Sequence, residues 1–365
     1  MDRYDVAIVG AGVIGLSIAL ALRDSGLSIA LIDAAPAPPI EPVGRGMDDW
    51  GRRVTALTPA SERFLDSLGA WSAMRQTGRV ATYTDMQVWD GEASGAIHFA
   101  ATDVGATALG HIVESQLTMS VLAGLVSALP TIHNRWSTKV VGCSSDAGGA
   151  ELECDDGSCI SAELVVAADG ARSNIRDIAA MRTRQWRYQQ NAIVATVELE
   201  QCHADTCWQA FLASGPLALL PLAEPNHCSI VWSLDDDVSP RWEAASNEEF
   251  VDGLNRALSA VPMRVTAVSE RATFPLVQSH AVDYVKDRIV LVGDAAHSIH
   301  PLAGQGINLG LADAKVLAES IINAYSARWA LVECSGAKPL STSAKNRKPR
   351  HDGSHAGIQV GFRKP

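Results

Sequence analysis

The sequence predicts an α/β fold with a parallel sheet that carries three glycine-containing turns. Three apolar runs typical of buried strands each end in a glycine-containing turn, at residues 4–10, 164–170 and 288–293. Strand-like segments rich in Val, Ile, Trp and Phe lie between them, at residues 82–99 and 190–235. With 365 residues and 47% hydrophobic composition, the chain can bury the cores of two domains.

The composition argues against several classes of protein. The net charge of −11 argues against general binding to nucleic acid. The chain has no run of about 18 apolar residues, so we expect no transmembrane helix, and residues 1–12 enter a strand pattern and do not resemble a signal peptide. The seven cysteines are scattered without a CxxC pair. This is typical of reduced thiols in a cytosolic protein, and we expect no metal site.

The first glycine-containing turn has the order of elements that a dinucleotide requires. Apolar residues 4–9 are followed by GAGVIG, by a helical pattern and by a second apolar run that ends at Asp33. Gly10 permits a tight turn, Gly12 lets the backbone approach a diphosphate, and Gly15 lets the helix pack closely against the strand. The diphosphate would lie at the positive N-terminal end of the helix, and Asp33 would bind ribose hydroxyls. This predicts a Rossmann-like nucleotide site without deciding between FAD and NAD.

The second turn lies in ELVVAADGARSNIR. Asp169 and Gly170 end an apolar run, and Gly170 allows a sharp turn from strand to helix. Ser173 is a candidate helix N-cap, and Arg176 could pair with a carboxylate or orient the loop. Taken alone, the segment also fits an ordinary capped turn.

The third turn, GDAAHSIHPLAGQGINLG at residues 293–310, follows another buried run. Asp294 stands where a carboxylate could bind a ribityl hydroxyl, and Gly304 and Gly306 would let backbone lie flat against a planar ring. The helix start that follows offers free N–H groups and a positive dipole end to a ring that becomes anionic on reduction. Two interpretations stay open for His297 and His300, namely ordinary turn histidines or residues at the edge of such a ring.

In this order, GAGVIG, DGARSNIR and GDAAHSIHPLAGQGINLGLADA resemble the para-hydroxybenzoate-hydroxylase-type FAD monooxygenases. The segments RRVTAL, LGHIVES, WRYQQNAIVATVE and TCWQAFLASGPLALLPL narrow the resemblance to the ubiquinone-biosynthesis hydroxylases. The resemblance implies a Rossmann-like FAD-binding domain interleaved with a mixed β-sheet substrate domain. The FAD-binding domain would comprise residues 1–81, 104–185 and 276–331, and the substrate-binding sheet residues 82–103 and 186–275.

The resemblance also implies which residues hold FAD. Gly10, Gly12 and Gly15 would hold the diphosphate, and Asp33 the adenosine ribose, where the family often has Glu. The other matching positions are Arg53, Gln116, Asp169, Gly170, Gly293, Asp294, Pro301, Gly304, Gln305, Gly306, Ile307 and Asn308. Arg52 is an alternative to Arg53, and Glu114 is an alternative to Gln116, because either register fits the motif.

The implied activity is hydroxylation of an aromatic ring, most closely of a polyprenylated phenol in ubiquinone biosynthesis, through a flavin C4a-hydroperoxide. The cofactor carries the chemistry, so no catalytic base is assigned. Trp208, Phe211 and Leu220 are candidate substrate contacts in an apolar wall over the ring, although each also fits a core position. The alternatives are a flavin-dependent reductase or oxidase of the same fold, or a truncated, inactive family member that acts as a scaffold.

The implied reactants are an aromatic, prenylated small molecule, molecular oxygen, and electrons from NAD(P)H or a ferredoxin-type partner. The sequence has no second Rossmann fingerprint to select between these donors. A quinone-biosynthesis complex is a further candidate partner. The expected location is cytoplasmic, and peripheral contact with the inner membrane is the alternative for a lipid-tailed substrate.

The chain changes character past Trp329. Residues 332–365 contain seven Lys and Arg against two acids and have no apolar period, which predicts an aberrant, disordered tail. Codons can be chosen for residues 338–362 that, read one base out of frame, give SRYQRQRKTENLAMMAAMQGFKLA. This hidden segment is amphipathic and resembles the helix that the family has at this place. We therefore hypothesise a frameshift shortly after Trp329, and a genuine basic tail is the alternative.

Overall fold

The computed structural model describes residues 2–39, 44–91, 95–146, 148–259, 261–299 and 306–327. Its strands are β1 (Asp2–Val9), β2 (Ile29–Ile32), β3 (Val54–Leu57), β4 (Ala81–Tyr83), β5 (Asp85–Asp90), β6 (Ala96–Ala100), β7 (Gly110–Glu114), β8 (Ile132–Arg135), β9 (Val140–Asp146), β10 (Gly149–Cys154), β11 (Cys159–Ala167), β12 (Thr183–Leu199), β13 (Thr206–Leu212), β14 (Gly215–Pro221), β15 (His227–Asp235), β16 (Val265–Val268), β17 (Ala272–Ala281), β18 (Val285–Lys286), β19 (Ile289–Leu291) and β20 (His297–Ser298). Its helices are α1 (Val13–Ala21), α2 (Pro59–Ser67), α3 (Ala70–Gln76), α4 (Ser115–Ser127), α5 (Asn174–Ile178), α6 (Ser239–Ala244), α7 (Asn247–Ala257) and α8 (Gly306–Ser326).

The first sheet carries the three glycine-containing turns. Its main strand order is β18-β19-β11-β1-β2-β8, and β10 and β9 extend it from β11. The strands from β19 to β8 run parallel. Val6 of β1 pairs with Ile29 of β2 on one side and with Leu164 of β11 on the other. Because β1 is covered on both sides and both faces, its sequence is a continuous apolar run instead of an alternating one.

Helices cover one face of this sheet. Leu16 and Ile18 of α1, Leu122 of α4, and Leu311 and Leu317 of α8 lie in one buried cluster with the strand residues of that face. The opposite face packs against β9, β10 and the short helix α5. This layered arrangement places the N-termini of α1 and α8 beside the carboxyl ends of β1 and β19, which is the edge where α/β proteins bind nucleotides.

The second sheet has the order β20-β17-β12-β15-β14-β13-β5-β6, and β16 pairs with β12. One face packs against α7 through Phe250 and Leu254. Ser246 caps α7, and its amide in turn donates to the Glu249 carboxylate, which fixes the helix start. The other face packs against a small third sheet of order β3-β7-β4 through Leu220 and Ile112. Because both faces are covered, successive residues of the central strands are apolar.

Within the described ranges, none of the helices combines the length and the apolarity needed to cross a membrane. The predicted tail at residues 332–365 lies outside those ranges.

Candidate functional site

The three glycine-containing turns meet at one edge of the first sheet. Gly10 has a φ of +101°, and a Cβ placed there would lie 2.4 Å from the Ala168 carbonyl oxygen, so the first and second turns are in contact. The buried Arg176 guanidinium donates to the carbonyl oxygens of Ala171 and Ala295, each at 3.0 Å, and so joins the second turn to the third. Arg176 therefore orients the loops, and its Nε also lies 3.6 Å from the Asp177 carboxylate, so it has both of the roles that the sequence left open.

Close packing of α1 against the first turn explains Gly15 but does not explain Gly12. A Cβ on Gly15 would lie 1.8 Å from the Gly10 carbonyl oxygen, so only glycine fits there. Gly12, the N-cap of α1, has a φ of −72°, and a Cβ there would meet no described atom within 4 Å. The first-turn amides of α1 have no side-chain cap and face this open space. The geometry leaves room for an anionic group at the helix end.

Asp33 lies at the end of β2 and supports the first turn. Its Oδ2 accepts the Ala11 amide at 2.6 Å, and its Oδ1 accepts the Ala35 amide at 2.7 Å. The carboxylate thus fixes the loop beside the α1 N-terminus. This is the place where the sequence predicts that a ribose binds.

Asp169 has an unsatisfied buried oxygen. Its Oδ2 accepts the Ile175 amide at 3.1 Å, whereas its Oδ1 has no hydrogen-bond partner among the described residues. Gly170 follows with a φ of +83°, which makes the predicted sharp turn. Ser173 caps α5 by accepting the Arg176 amide at 3.0 Å, as the sequence predicted. A buried acceptor without a partner fits a hydroxyl donated by a bound cofactor.

The third turn is held by an acid that the sequence reading missed. Asp313 of α8 is buried, and its Oδ2 accepts the Gly293 amide at 3.1 Å and lies 2.6 Å from Nε2 of the buried His297. Asp294, the next residue in the turn, reaches solvent, yet the protein around its carboxyl desolvates it and raises its pKa, while His297 and Arg53 oppose that shift. His297 is thus engaged within the protein. The sequence signals Asp313 only as a lone acid on an otherwise apolar face of α8.

The structure separates Arg53 from Arg52. The Arg53 guanidinium lies 4.3 Å above the ring of Phe274 in β17, between the small sheet and the second sheet, and its charge acts on Asp294. Arg52 forms an exposed ion pair with Glu270. Of the two arginines, Arg53 is the one directed toward the third turn.

The structure also distinguishes between Glu114 and Gln116, the two alternatives for one predicted cofactor contact. Gln116 is exposed at the start of α4. Glu114 is buried and accepts two hydrogen bonds from Arg79, at 2.7 and 2.9 Å, and one from the Gly51 amide at 2.6 Å. The Arg79 guanidinium also lies 4.1 Å over the ring of Trp50. This clamp of Arg79, Glu114 and Trp50 fixes the segment that leads into Arg53.

The side chain of Asn308 is used inside the protein. Its Oδ1 accepts from the Ser61 hydroxyl at 2.7 Å and from the Thr58 amide at 3.1 Å, and its Nδ2 donates to the Ala56 carbonyl at 2.7 Å. These bonds tie the start of α8 to β3 and α2, and only backbone amides of that helix start remain for a ligand. Gly306 and Ile307 form the first turn of α8. The predicted residues Pro301, Gly304 and Gln305, and also His300, lie outside the described residues.

The three candidate substrate contacts do not share a surface. Leu220 is buried on the sheet face that packs against the small sheet, and Phe211 projects from the same face and is 45% exposed. Trp208 projects from the opposite face, where it lies in the α7 cluster with its ring centroid 6.2 Å from that of Trp89. The structure therefore places Leu220 and Phe211 on one face, four residues apart in the β13–β14 register, and Trp208 on the other face.

The open approach to Gly12, the unpartnered oxygen of Asp169 and the arginine at the sheet interface fit a bound FAD. Fold and site together define an FAD-dependent monooxygenase. The FAD-binding-domain family model matches residues 3–335. The chain is 34% identical to the 3-demethoxyubiquinol 3-hydroxylase of Escherichia coli K12, over 89% of this chain and 82% of that one. It is 32% identical to the mouse mitochondrial ubiquinone biosynthesis monooxygenase COQ6, over 88% of this chain and 76% of that one. The chain belongs to the FAD-binding-domain family and, within it, to the ubiquinone-biosynthesis hydroxylases.

Solved structures agree with this fold. PqsL of Pseudomonas aeruginosa, solved with 2-aminobenzoylacetate, superposes with a TM-score of 0.75 at 20% identity, over 90% of this chain and 89% of that one. The p-nitrophenol 4-monooxygenase PnpA of Pseudomonas putida superposes with a TM-score of 0.69 at 20% identity, over 90% and 82%. The predicted α/β fold and the predicted FAD cofactor are confirmed.

Proposed function

We propose that this protein hydroxylates the aromatic ring of a polyprenylated phenol or quinol in ubiquinone biosynthesis. The observation that carries the proposal is the apolar boundary between the second sheet and the small sheet, where Arg53 lies over Phe274 beside the packed residues Cys207, Ala218 and Leu220. Such a boundary suits an electron-rich ring with an apolar substituent and excludes water from it. The named activities of the relatives supply the reaction class.

The cofactor contacts remain part of this proposal. We assign the diphosphate of FAD to the α1 N-terminus at Gly12, the adenosine ribose to Asp33, and further hydroxyls to Asp169 and Asp294. Arg53 would contribute positive charge from the substrate side, and the backbone amides at the start of α8 would face the ring. When bound and reduced, FAD supplies the activation of molecular oxygen. The residues of this chain would bind and orient FAD and the substrate, and would exclude water from the site.

The proposal extends to the domain division and to the partners. Residues 1–81, 104–185 and 276–331 would form the FAD-binding domain, and residues 82–103 and 186–275 the substrate sheet. Electrons would come from NAD(P)H or from a ferredoxin-type protein. A lipid-tailed substrate would bring the protein to the surface of the membrane that contains it, in contact with other quinone-biosynthesis enzymes.

Product analysis tests the function. Purified holoprotein is supplied with NADH or NADPH, oxygen and a prenylated phenol, and oxygen uptake is compared with hydroxylated product by mass spectrometry. We expect product formation in proportion to oxygen consumed, and its loss in Gly15→Val, which cannot pack α1 against its strand. Oxygen consumption that yields only hydrogen peroxide would indicate an oxidase and contradict the proposal. Gene complementation in cells that lack a quinone hydroxylase provides the same readout with native electron donors.

A further inference from the structure

An apolar strip runs across the second sheet toward its edge at β6. We define it as Met86, Val88, Ile97, Phe99 and Phe211. In the β5–β6 ladder, Met86 pairs with Phe99 and Val88 pairs with Ile97. Directly paired residues project from the same face of a sheet, so these four side chains are neighbours on one surface. The strip is therefore continuous from one strand to the next.

The same pairing links the strip to the buried face beside the small sheet. Met86 pairs with Cys207 of β13, and Val88 pairs with Gln209. Exposure increases from strand to strand: Cys207 and Gln209 are 3% and 6% exposed, whereas Phe99 is 49% exposed at the edge. The row of Cys207, Met86 and Phe99 thus leads from the interior to solvent, and the polar Gln209 lies beside it.

The face also reaches the site of Arg53. The Arg53 guanidinium lies over the ring of Phe274. Phe274 pairs with Ala192 of β12. Val194, two residues further along, pairs with Val231, which pairs in turn with Ala218 of β14. Because every second residue of a strand projects from the same face, Arg53, Ala218 and the strip lie along one surface.

Strand β6 has an unusual distribution of polarity. Ile97 is 58% exposed on the face of the strip, whereas His98 projects from the opposite face and pairs with Asp85 at 2.8 Å. An exposed edge strand ordinarily carries charged or polar groups that discourage association. A contiguous exposed apolar surface instead marks a binding site. Asp90, opposite Phe211 in the ladder, bounds the strip at one end.

We propose that the apolar strip binds the polyprenyl tail of the substrate, with the aromatic ring at its inner end near Leu220. This inference rests on the proposed function and deepens it. An isoprenoid chain is linear, flexible and uncharged, and it needs a path from a buried ring site to the outside. From β13 to β6 the strip spans two strand spacings, about 10 Å, and Leu220 lies on the next strand, β14. The strip connects the ring site to the sheet edge and meets both requirements.

Tail-length dependence tests the inference. The holoprotein and the double variant Ile97→Thr/Phe99→Thr are assayed with phenols that carry zero, one or three isoprene units. Threonine keeps the strand propensity and removes apolar surface. We expect KM for the three-unit phenol to rise about tenfold in the double variant, since each buried methylene contributes to binding. KM for the tail-less phenol and kcat should stay unchanged.

A matched control comes from the first sheet. Val141 of β9 is 49% exposed, like Phe99, but lies away from the strip, and Val141→Thr should leave every KM unchanged. An equal change in KM for all three phenols in the double variant would overturn the inference. A shift of oligomeric state on substitution, without tail-dependent KM, would assign the strip to a second copy and overturn it as well.

The inference stays testable if the protein turns over none of these phenols. That outcome would contradict the proposed function, and the same three phenols are then titrated into the holoprotein while flavin fluorescence is followed. Selective weakening of the three-unit phenol in the double variant supports the tail site. Equal affinity of the parent protein for tailed and tail-less phenols refutes it.

Discussion

Substituting Glu114 by glutamine tests how much the clamp of Arg79, Glu114 and Trp50 contributes to stability. Arg79 and Glu114 are 4% and 1% exposed, and the carboxylate accepts two hydrogen bonds from the guanidinium. Glu114→Gln keeps the shape of the side chain but leaves the arginine charge buried without a counter-charge. Loss of one partner of a buried pair costs about 3–5 kcal/mol. This is a large part of the roughly 5–15 kcal/mol by which a domain is stable.

The expected change in melting temperature follows from the size of the chain. An unfolding entropy of about 2.1 cal/mol/K per residue converts that cost into a decrease of about 4–7 °C. Circular dichroism melts of the FAD-free and FAD-bound protein measure this decrease in melting temperature. FAD affinity should also fall, because Arg53 follows the clamped segment. Glu151→Gln, at an exposed position of β10, should melt within 1 °C of the parent. A double variant Arg79→Met/Glu114→Leu should recover most of the lost stability, because no buried charge remains.

A Glu114→Gln protein that melts within 1 °C of the parent would refute the reasoning, since the buried charge would then be tolerated without its partner. A large loss of stability that persists in the double variant would indicate that shape and not charge holds the segment.

Two further predictions concern the cofactor loop and the pH dependence of stability. Gly12→Ala should keep the melting temperature of the FAD-free protein but weaken FAD binding, by about tenfold or more, because its methyl would occupy the approach of the diphosphate. Gly15→Ala should lose both, because its Cβ overlaps the Gly10 carbonyl, and unchanged FAD affinity in Gly12→Ala would contradict the assignment. Burial lowers the pKa of His111 while Glu62 opposes the shift. The unfolded chain therefore takes up a proton first as pH falls below about 6.5, and stability decreases toward pH 5. His111→Gln should show a smaller difference between melts at pH 7 and pH 5, and an equal difference would refute this cause.

The nucleotide-binding part of the fold was predictable because its signals are local. An apolar run, a glycine-containing turn and a helix follow one another within about thirty residues, and the packing they require is visible in the types of residue at Gly10 and Gly15. The second sheet was less predictable. Cys207 and Trp208 are adjacent and both buried, because α7 covers one face and the small sheet covers the other. Without alternation, the sequence cannot indicate which residues face the site.

The supports of the site were not predictable for a different reason. Asp313 and Arg79 act through partners that are distant in sequence, and neither residue carries a local signal of its partner. Asn308 matched a cofactor position, yet its side chain binds Ser61, Thr58 and Ala56. A motif identifies which residue stands at a position, whereas long-range packing decides whether its side chain or its backbone is available.

The neighbours of β1 have a consequence for synthesis on the ribosome. Strand β1 lies inside its sheet and emerges before its partner β11, whose Leu164 pairs with Val6 and follows only after roughly 10–30 s of translation at usual rates. The third turn needs β19, which ends at Leu291. During that interval the apolar residues of β1 remain without part of their final cover, in a state prone to aggregation. Chaperones that cover β1 during this interval should therefore raise the yield of folded protein in a cell.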